Sequence, residues 1–398
     1  MHIRKPAYYD AFHCIASACR DTCCAGWEID IDPASRELYR RMPGPLGEKL
    51  RTYMEPEEES CSFRLIEGER CPFLTENNLC ELILEKGDGI LCEICREHPR
   101  FHEWFGSLRE SGLGLCCEEA ARLVLRAEQP TAFVEENLPS AEEEEDIPKE
   151  EKPLLSALFI SRETAFALLK TRDLSLEERC SLLLAFGAEL QEALEEGNSS
   201  GILRLSEFYA REGASLLPGL QKTPDAGNAP SPRETTQKLL SFFAGLEPMD
   251  PNWPHRLLSL RGTLPKYCSE SGMGSPPAAE HTEGPCAGSL YENLLIYFVY
   301  RYWMKSFYDG ELLPKAKLAV TGFLLLRLLN GTEPSFEGAV QNAKAFSKEV
   351  EYSDENLDAF YTAAWQENFL SLPTLFTLFL PKIPKKAPEH SKKTHKPN

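Results

Sequence analysis

Residues 18–27 read ACRDTCCAGW, which places Cys19, Cys23 and Cys24 within six positions, with Cys14 just upstream. Four thiols in eleven residues form a disulfide knot, a metal or cluster site, or a coincidence, and the choice decides what holds this part of the chain together. The compartment bears on it. The opening residues MHIRKPAYYD contain no apolar h-region, so no signal peptide is expected. The most apolar stretch, Leu290–Leu329, is interrupted by Glu292, Arg301, Lys305, Asp309, Glu311, Lys315, Lys317 and Arg327. Its longest uncharged piece, Leu318–Leu326, falls well short of the roughly 20 residues that cross a bilayer. The expectation is a soluble cytoplasmic protein, and in a reducing cytosol grouped cysteines serve metals or redox chemistry more often than structural disulfides.

The distribution of thiols sharpens the point. Eleven of the 14 cysteines precede residue 118: Cys14, Cys19, Cys23, Cys24, Cys61, Cys71, Cys80, Cys92, Cys95, Cys116 and Cys117. Only Cys180, Cys268 and Cys286 follow. Cys92-x-x-Cys95 has a ligand-pair spacing seen in zinc ribbons and iron–sulfur proteins. Cys19 and Cys23 are one helical turn apart and face one centre if that stretch is helical, whereas Cys24 points about 100° away. With only His13, His98 and His102 nearby the donors are sulfur-rich, which selects zinc or an iron–sulfur cluster over magnesium or calcium. Structural zinc usually shows two C-x-x-C knuckles, and here there is one. The radical-enzyme spacing C-x3-C-x2-C is half present, because Gly26 stands at its third position.

Around the thiols the pattern predicts a mainly α protein in two parts: an irregular cysteine-rich metal- or cluster-binding domain over 1–130 and a helical domain over 153–380. Gly26–Asp32 alternates like a short strand, and Ala34–Arg41 and Ala120–Arg126 read as helices, with Asp32 or Ser35 capping the first. No long regular element is evident between 55 and 115. An acidic linker over 131–152 contains five consecutive acids at Glu142–Asp146. Beyond Pro153 apolar residues recur at helical spacing, and Ser175-x-x-Glu178 forms a capping-box pattern. Irregular insertions are expected near 218–235 and 247–288, and a disordered basic tail over 381–398, where six lysines fall in 18 residues. Net charge is −19, which argues against general affinity for nucleic acid or an anionic membrane.

The motifs carry a resemblance. F-x-C-x4-C-x-D-T-C-C-A-G-W-x-I-D-I-D at Phe12–Asp32 resembles the opening of the flagellin lysine-N-methylase family. So do CPFL…LC at 71–80, C-R-x-H-P-R at 95–100, L-x-L-C-C-E-E-A-A-R-L at 113–123 and the helical YENLLIYFVYRYW at 291–303. A looser likeness extends to small iron- or zinc-chelating proteins that share CxxxCC, CPFL and CR elements. The family resemblance implies methylation of flagellin lysine ε-amines from S-adenosylmethionine, with a 4Fe-4S cluster in the enzyme. The thiols that fit the family pattern are Cys14, Cys19, Cys23, Cys24, Cys71, Cys80, Cys95 and Cys117, whereas Cys61, Cys92 and Cys116 fit less clearly. The expected metal ligands are Cys19, Cys23, Cys24, Cys71, Cys80, Cys95 and Cys117, with Cys14 and Cys92 as further candidates. Two positions depart from the family pattern, which usually has Tyr at His98 and Pro at Glu118.

Methyl transfer to lysine needs a base and a cradle for a cationic donor. Asp30, Asp32, His98 and Arg100 are the candidates for catalysis because they flank the thiols, and Glu28 lies beside them. Trp27 and Trp104 are the candidates for cofactor binding. No G-x-G-x-x-G follows a strand, and no alternating strand–helix series is present, so a doubly wound methyltransferase fold is not expected. Direct ligation of the cofactor's amino and carboxylate groups by an open iron is one alternative. A non-catalytic chelator, whose cysteines hold the fold or deliver iron or zinc, is the rival reading.

Overall fold

A capping box and a run of caps start the helices where the sequence places them. Ser175 accepts from the Glu178 amide while the Glu178 carboxylate accepts from the Ser175 amide, and Ser231 and Glu234 repeat the arrangement. Asp32 caps the first helix through the Ser35 amide, with Pro33 at its first position. The computed structural model describes residues 2–20, 22, 25, 29–56, 60–68, 70–137, 147–222, 229–264, 268–269, 272–273, 287–332 and 335–380. Cys23, Cys24, Trp27, Glu28, the acids Glu142–Asp146 and the basic tail lie outside the described residues.

The elements, in chain order, begin with strand β1 (His2–Pro6), helices α1 (Pro33–Arg41) and α2 (Gly44–Tyr53), and strands β2 (Met54–Pro56) and β3 (Cys61–Phe63). Short helices α3 (Glu81–Lys86) and α4 (Glu93–Glu97) precede a hairpin of β4 (Arg100–Phe105) and β5 (Leu108–Leu113), then α5 (Glu118–Arg126) and β6 (Phe133–Asn137). The helical part runs through α6 (Lys152–Leu169), α7 (Leu176–Glu195), α8 (Ser199–Glu212), α9 (Leu217–Leu220), α10 (Pro232–Ala244) and α11 (Trp253–Ser259). After the two-residue strands β7 (Cys268–Ser269) and β8 (Gly272–Met273) come α12 (Ala287–Tyr302), α13 (Ser306–Asp309), α14 (Leu313–Thr332) and α15 (Phe336–Phe346). A π-helical turn (Ser347–Glu351), α16 (Asp354–Gln366) and α17 (Leu372–Phe379) complete the described chain. The protein is mainly α, as expected. No helix among the described residues is long and apolar enough to cross a membrane.

Three features differ from the sequence reading. The stretch 100–113 forms a hairpin, and its strands join β1 and β6 in a sheet of order β4-β5-β1-β6, with β1 parallel to β5 and the other pairs antiparallel. Cys19 is extended (φ −71°, ψ 134°) at the end of a 3-10 turn over Ala16–Ala18, so the condition for it to share a helical face with Cys23 is not met. Within 247–288, Trp253–Ser259 is helical.

The principal core does not divide at residue 130. Phe105, Leu115, Ala121, Val124 and Leu125 belong to the same apolar cluster as the buried faces of α6, α7, α12 and α14. A second, smaller core around Tyr39, Phe63 and Phe73 holds Cys61, Cys71 and Cys92, with Cys80 and Cys95 packed against it. The charges that interrupt 290–329 are accommodated by partners. Glu292 meets Arg172 and Arg179, Arg327 meets Glu177, and Lys317 donates to the Ala364 carbonyl. That satisfaction is what lets α12 and α14 be buried nearly all round.

Ion pairs fasten the sheet to the helices, and the most deeply buried of these joins Arg162 to Glu110. Arg162 of α6 is completely buried, and its guanidinium grips both Glu110 oxygens of β5 at 2.6 Å. Removing the carboxylate leaves a buried cation without its anion. Glu110→Ala is therefore expected to cost about 3–5 kcal/mol, read as a lowered urea unfolding midpoint, and the double variant Glu110→Leu/Arg162→Leu to recover much of that loss.

Candidate functional site

Seven thiols separated by up to about a hundred positions in sequence line one cavity of about 550 Å³: Cys14, Cys19, Cys71, Cys80, Cys95, Cys116 and Cys117. Each is delivered by a different local device. Cys71 opens a turn closed by Leu74 N–H to the Cys71 carbonyl (3.0 Å), and Cys80 returns against Leu74 as an isolated bridge. Cys92 and Cys95 stand at the start of α4, and Cys116 and Cys117 follow β5. Phe12, Phe63 and Leu82 supply apolar wall, while His98, Pro99 and Arg100 form the entry to β4.

The thiols fall into two neighbourhoods. Cys71, Cys80, Cys92 and Cys95 gather on the smaller core, where Cys92 hydrogen-bonds Cys95 and also Tyr39, whose hydroxyl donates to the Ile90 carbonyl at 2.8 Å. Burial pushes the Cys71 thiol up to about 11, whereas hydrogen bonding with Cys95 holds Cys92 below the usual thiol range. Cys19, Cys116 and Cys117 lie on the other wall. Cys19 donates to Glu118 Oε2 (3.9 Å), and Cys116 Sγ is 3.8 Å from His98 Nε2. Among the described residues no three His, Cys, Asp or Glu side chains are grouped closely enough to hold a single metal ion. The potential donors that line the cavity are predominantly sulfur, a soft-donor set.

Of the other nominated residues, the structure brings two to the cavity and leaves three elsewhere. His98 and Arg100 line it, with the Arg100 guanidinium over the rings of Phe12 (5.2 Å) and Tyr9 (5.7 Å). Asp32 is a cap: besides the Ser35 amide it accepts from the Glu93 amide at 2.8 Å, tying α1 to α4. Burial alone would raise its pKa, but those amides outweigh it and hold the carboxyl below the usual range. Asp30 is exposed and bridges Ser62, and Trp104 is 47% exposed on β4 beside His102. Cys92 is buried just behind the lining, and Cys61 packs in the smaller core.

Two residues that the sequence reading did not nominate also line the cavity, one of them from the far end of the chain. Lys344 of α15, 7% exposed, lines it. Glu118, 2% exposed, lines it too and ties the Cys19 loop to α5 and α15. It accepts from the Arg20 amide (3.1 Å) and from Arg122 (3.0 Å), and Arg122 and Arg20 both reach Glu337 of α15 (2.9 and 3.6 Å). Further along, Lys348 donates to the Thr22 carbonyl at 3.5 Å. The only trace in the sequence is that Glu337, Lys344 and Lys348 recur at helical spacing.

These features define a mainly helical protein in which an N-terminal part gathers thiols around a cavity and a C-terminal helix closes it. Residues 162–378 match the FliB lysine N-methylase C-terminal domain, and the chain belongs to that family. The resemblance read from the cysteine motifs is thereby borne out. The chain is also similar to the lysine-N-methylases of Salmonella typhimurium and Salmonella choleraesuis. Identity is 26% to each, over 148 and 145 residues, or 34% of this chain and 35% of each relative. The flagellar biosynthetic protein FliU of Salmonella muenchen is 26% identical over 135 residues, 31% of this chain and 76% of that one. The match thus spans about a third of the length of the two lysine-N-methylases. No solved structure matches.

Burial alone would raise the Glu118 pKa, but its donors, the Arg20 amide first, hold the carboxyl below the usual carboxylate range. A depressed folded-state pKa stabilises above the ordinary carboxylate value and ceases to do so as pH falls through the depressed one. Glu118→Gln should therefore cost about 1.5–3 kcal/mol near neutral pH. The gap between its thermal midpoint and that of the unmodified protein should close on acidification.

Proposed function

We propose that the chain is a protein-lysine N-methyltransferase acting on flagellin, with S-adenosylmethionine as methyl donor and an iron–sulfur cluster in the thiol-lined cavity. The observation that carries the reading is the cavity: seven thiols around one space, closed by a helix of the family's C-terminal domain. The names of the relatives, lysine-N-methylase and flagellar biosynthetic protein, support the substrate. The spread of the thiols supports a cluster over a lone zinc ion, because a tetrahedral ion needs four sulfurs at about 2.3 Å from one point. Cys19, Cys71, Cys80, Cys95 and Cys117 would hold it, with Cys14 and Cys92 in reserve, and Cys23 and Cys24 as ligands outside the described residues. A cluster there would supply a Lewis-acidic or redox centre. The N-terminal thiol-bearing part is then the metal-binding domain, and a reducing cytoplasm keeps its thiols available.

The chemistry required of the protein is modest. A lysine ammonium has no lone pair, so its proton must leave before nitrogen attacks the sulfonium methyl. The N–C bond then forms as the C–S bond breaks, and the donor departs as a neutral thioether. His98 is the nominated base that faces the cavity, and an imidazole suits proton transfer near neutral pH. Arg100 orients, and the apolar wall to which Phe12 and Phe63 contribute excludes water.

Mass spectrometry of flagellin incubated with the protein and S-adenosylmethionine is expected to show methyl-sized increments on lysines, and their absence under both reducing and oxidising conditions would remove the enzyme. Anaerobically purified protein should be brown, with iron and labile sulfide, and Cys71→Ser and Cys95→Ser should lose most of both. Colourless protein with stoichiometric zinc would favour the chelator instead.

A further inference from the structure

The family match begins at residue 162, yet every thiol of the cavity lies at or before residue 117. The C-terminal part supplies Lys344 to the lining and no thiol, and one further contact of that part acts on the cavity wall from behind. Tyr352 directly follows the π-helical turn, a device that often marks functional positions in helices. The turn's last residue, Glu351, has a fully buried side chain and accepts from the hydroxyls of Tyr297 and Tyr302, both at 3.0 Å, with Arg301 at 3.5 Å. Arg301 in turn lies 4.9 Å from the centre of the Tyr352 ring and 4.9 Å from that of Phe101. The ring is gripped on one side by a charge that is itself held in place.

Its hydroxyl end is equally constrained. Although Tyr352 keeps 37% of its surface, the hydroxyl sits over Gly114, where an added Cβ would lie only 2.1 Å from the oxygen. Any side chain at 114 would evict it, so glycine is required there by close approach. From that position the hydroxyl hydrogen-bonds Cys116, while the ring meets the His98 imidazole edge-on at 6.2 Å. Cys116 Sγ lies 3.8 Å from His98 Nε2, and both residues line the cavity whereas Tyr352 does not.

We propose that Tyr352 is a positioning residue: its hydroxyl sets the Cys116 thiol, and through it the His98 imidazole, on the cavity wall. The role rests on the reading that methyl transfer takes place in that cavity. Cys116, which fits the family's ligand pattern poorly, then serves to aim His98 rather than to bind the cluster.

Tyr352→Phe keeps the ring and its Arg301 contact and removes only the hydroxyl. With full-length, cluster-loaded protein, kcat should fall roughly two- to tenfold, the worth of one such hydrogen bond. KM for flagellin and the unfolding midpoint should stay unchanged, because the hydroxyl touches neither substrate nor the main core. Gly114→Ala, which displaces the same hydroxyl from below, should reproduce the kcat loss; if that variant fails to fold, Tyr352→Phe alone decides. An unchanged kcat in Tyr352→Phe, or a fall matched by a lowered unfolding midpoint, overturns the assignment while leaving the methylase reading intact. Inactivity of the unmodified protein overturns both.

Discussion

The buried Glu110–Arg162 pair is the constraint from which the site hangs. It sits in the middle of the β4–β5 hairpin and fixes that hairpin to α6, because neither charge tolerates burial alone. The open end of the hairpin forms one wall of the cavity. His98 leads into β4, Cys116 leads out of β5, and the bond from Gly114 N–H to the Pro99 carbonyl (2.7 Å) extends the ladder between them. The spacing of imidazole and thiol is thus a consequence of strand register. Register in turn is held by which face of the hairpin meets the helices.

Around that hairpin the chain solves a problem of distance. Thiols scattered from residue 14 to residue 117 meet because the smaller core orders the middle of the segment, while the Glu118–Arg122–Glu337 network draws the first loop onto α15. Charged side chains do the docking at the cavity, and beneath the sheet the Glu110–Arg162 pair works together with apolar packing. The division suits a site that has to admit ligands: polar contacts at its rim reorganise more readily than a packed core.

Much of this was legible in advance, and the failures have identifiable causes. Helices with caps and apolar stripes, such as α7 with its Ser175 box, declare themselves locally, and the crowding of thiols before residue 118 foreshadows their gathering around one cavity. The hairpin did not, because RFHEWF and LRESGL carry charges on both faces. Glu103 and Glu110 point the same way as Phe101 and Phe105, and each is satisfied by a distant cation, Lys305 or Arg162. Nor could Cys19 be placed by counting residues. Its backbone follows Ala16 at φ +46° and a carboxylate 99 positions away, neither of which leaves a local trace. Asp32 carries two signals at once: a carboxylate beside thiols looks chemical, and as the expected helix cap its two oxygens accept from the Ser35 and Glu93 amides. Lys344 and Tyr352 carried the weakest signal, since a cavity-facing lysine and a surface one look alike until the fold is known.

The continuity of the core has a consequence for how the protein can be handled. Phe105, Leu115 and Val124 are covered by helices more than a hundred residues downstream, so a fragment ending near residue 130 would expose them as a sticky apolar face. The thiol-bearing part thus shares its larger apolar face with the helices, and cutting there separates surfaces that pack on each other.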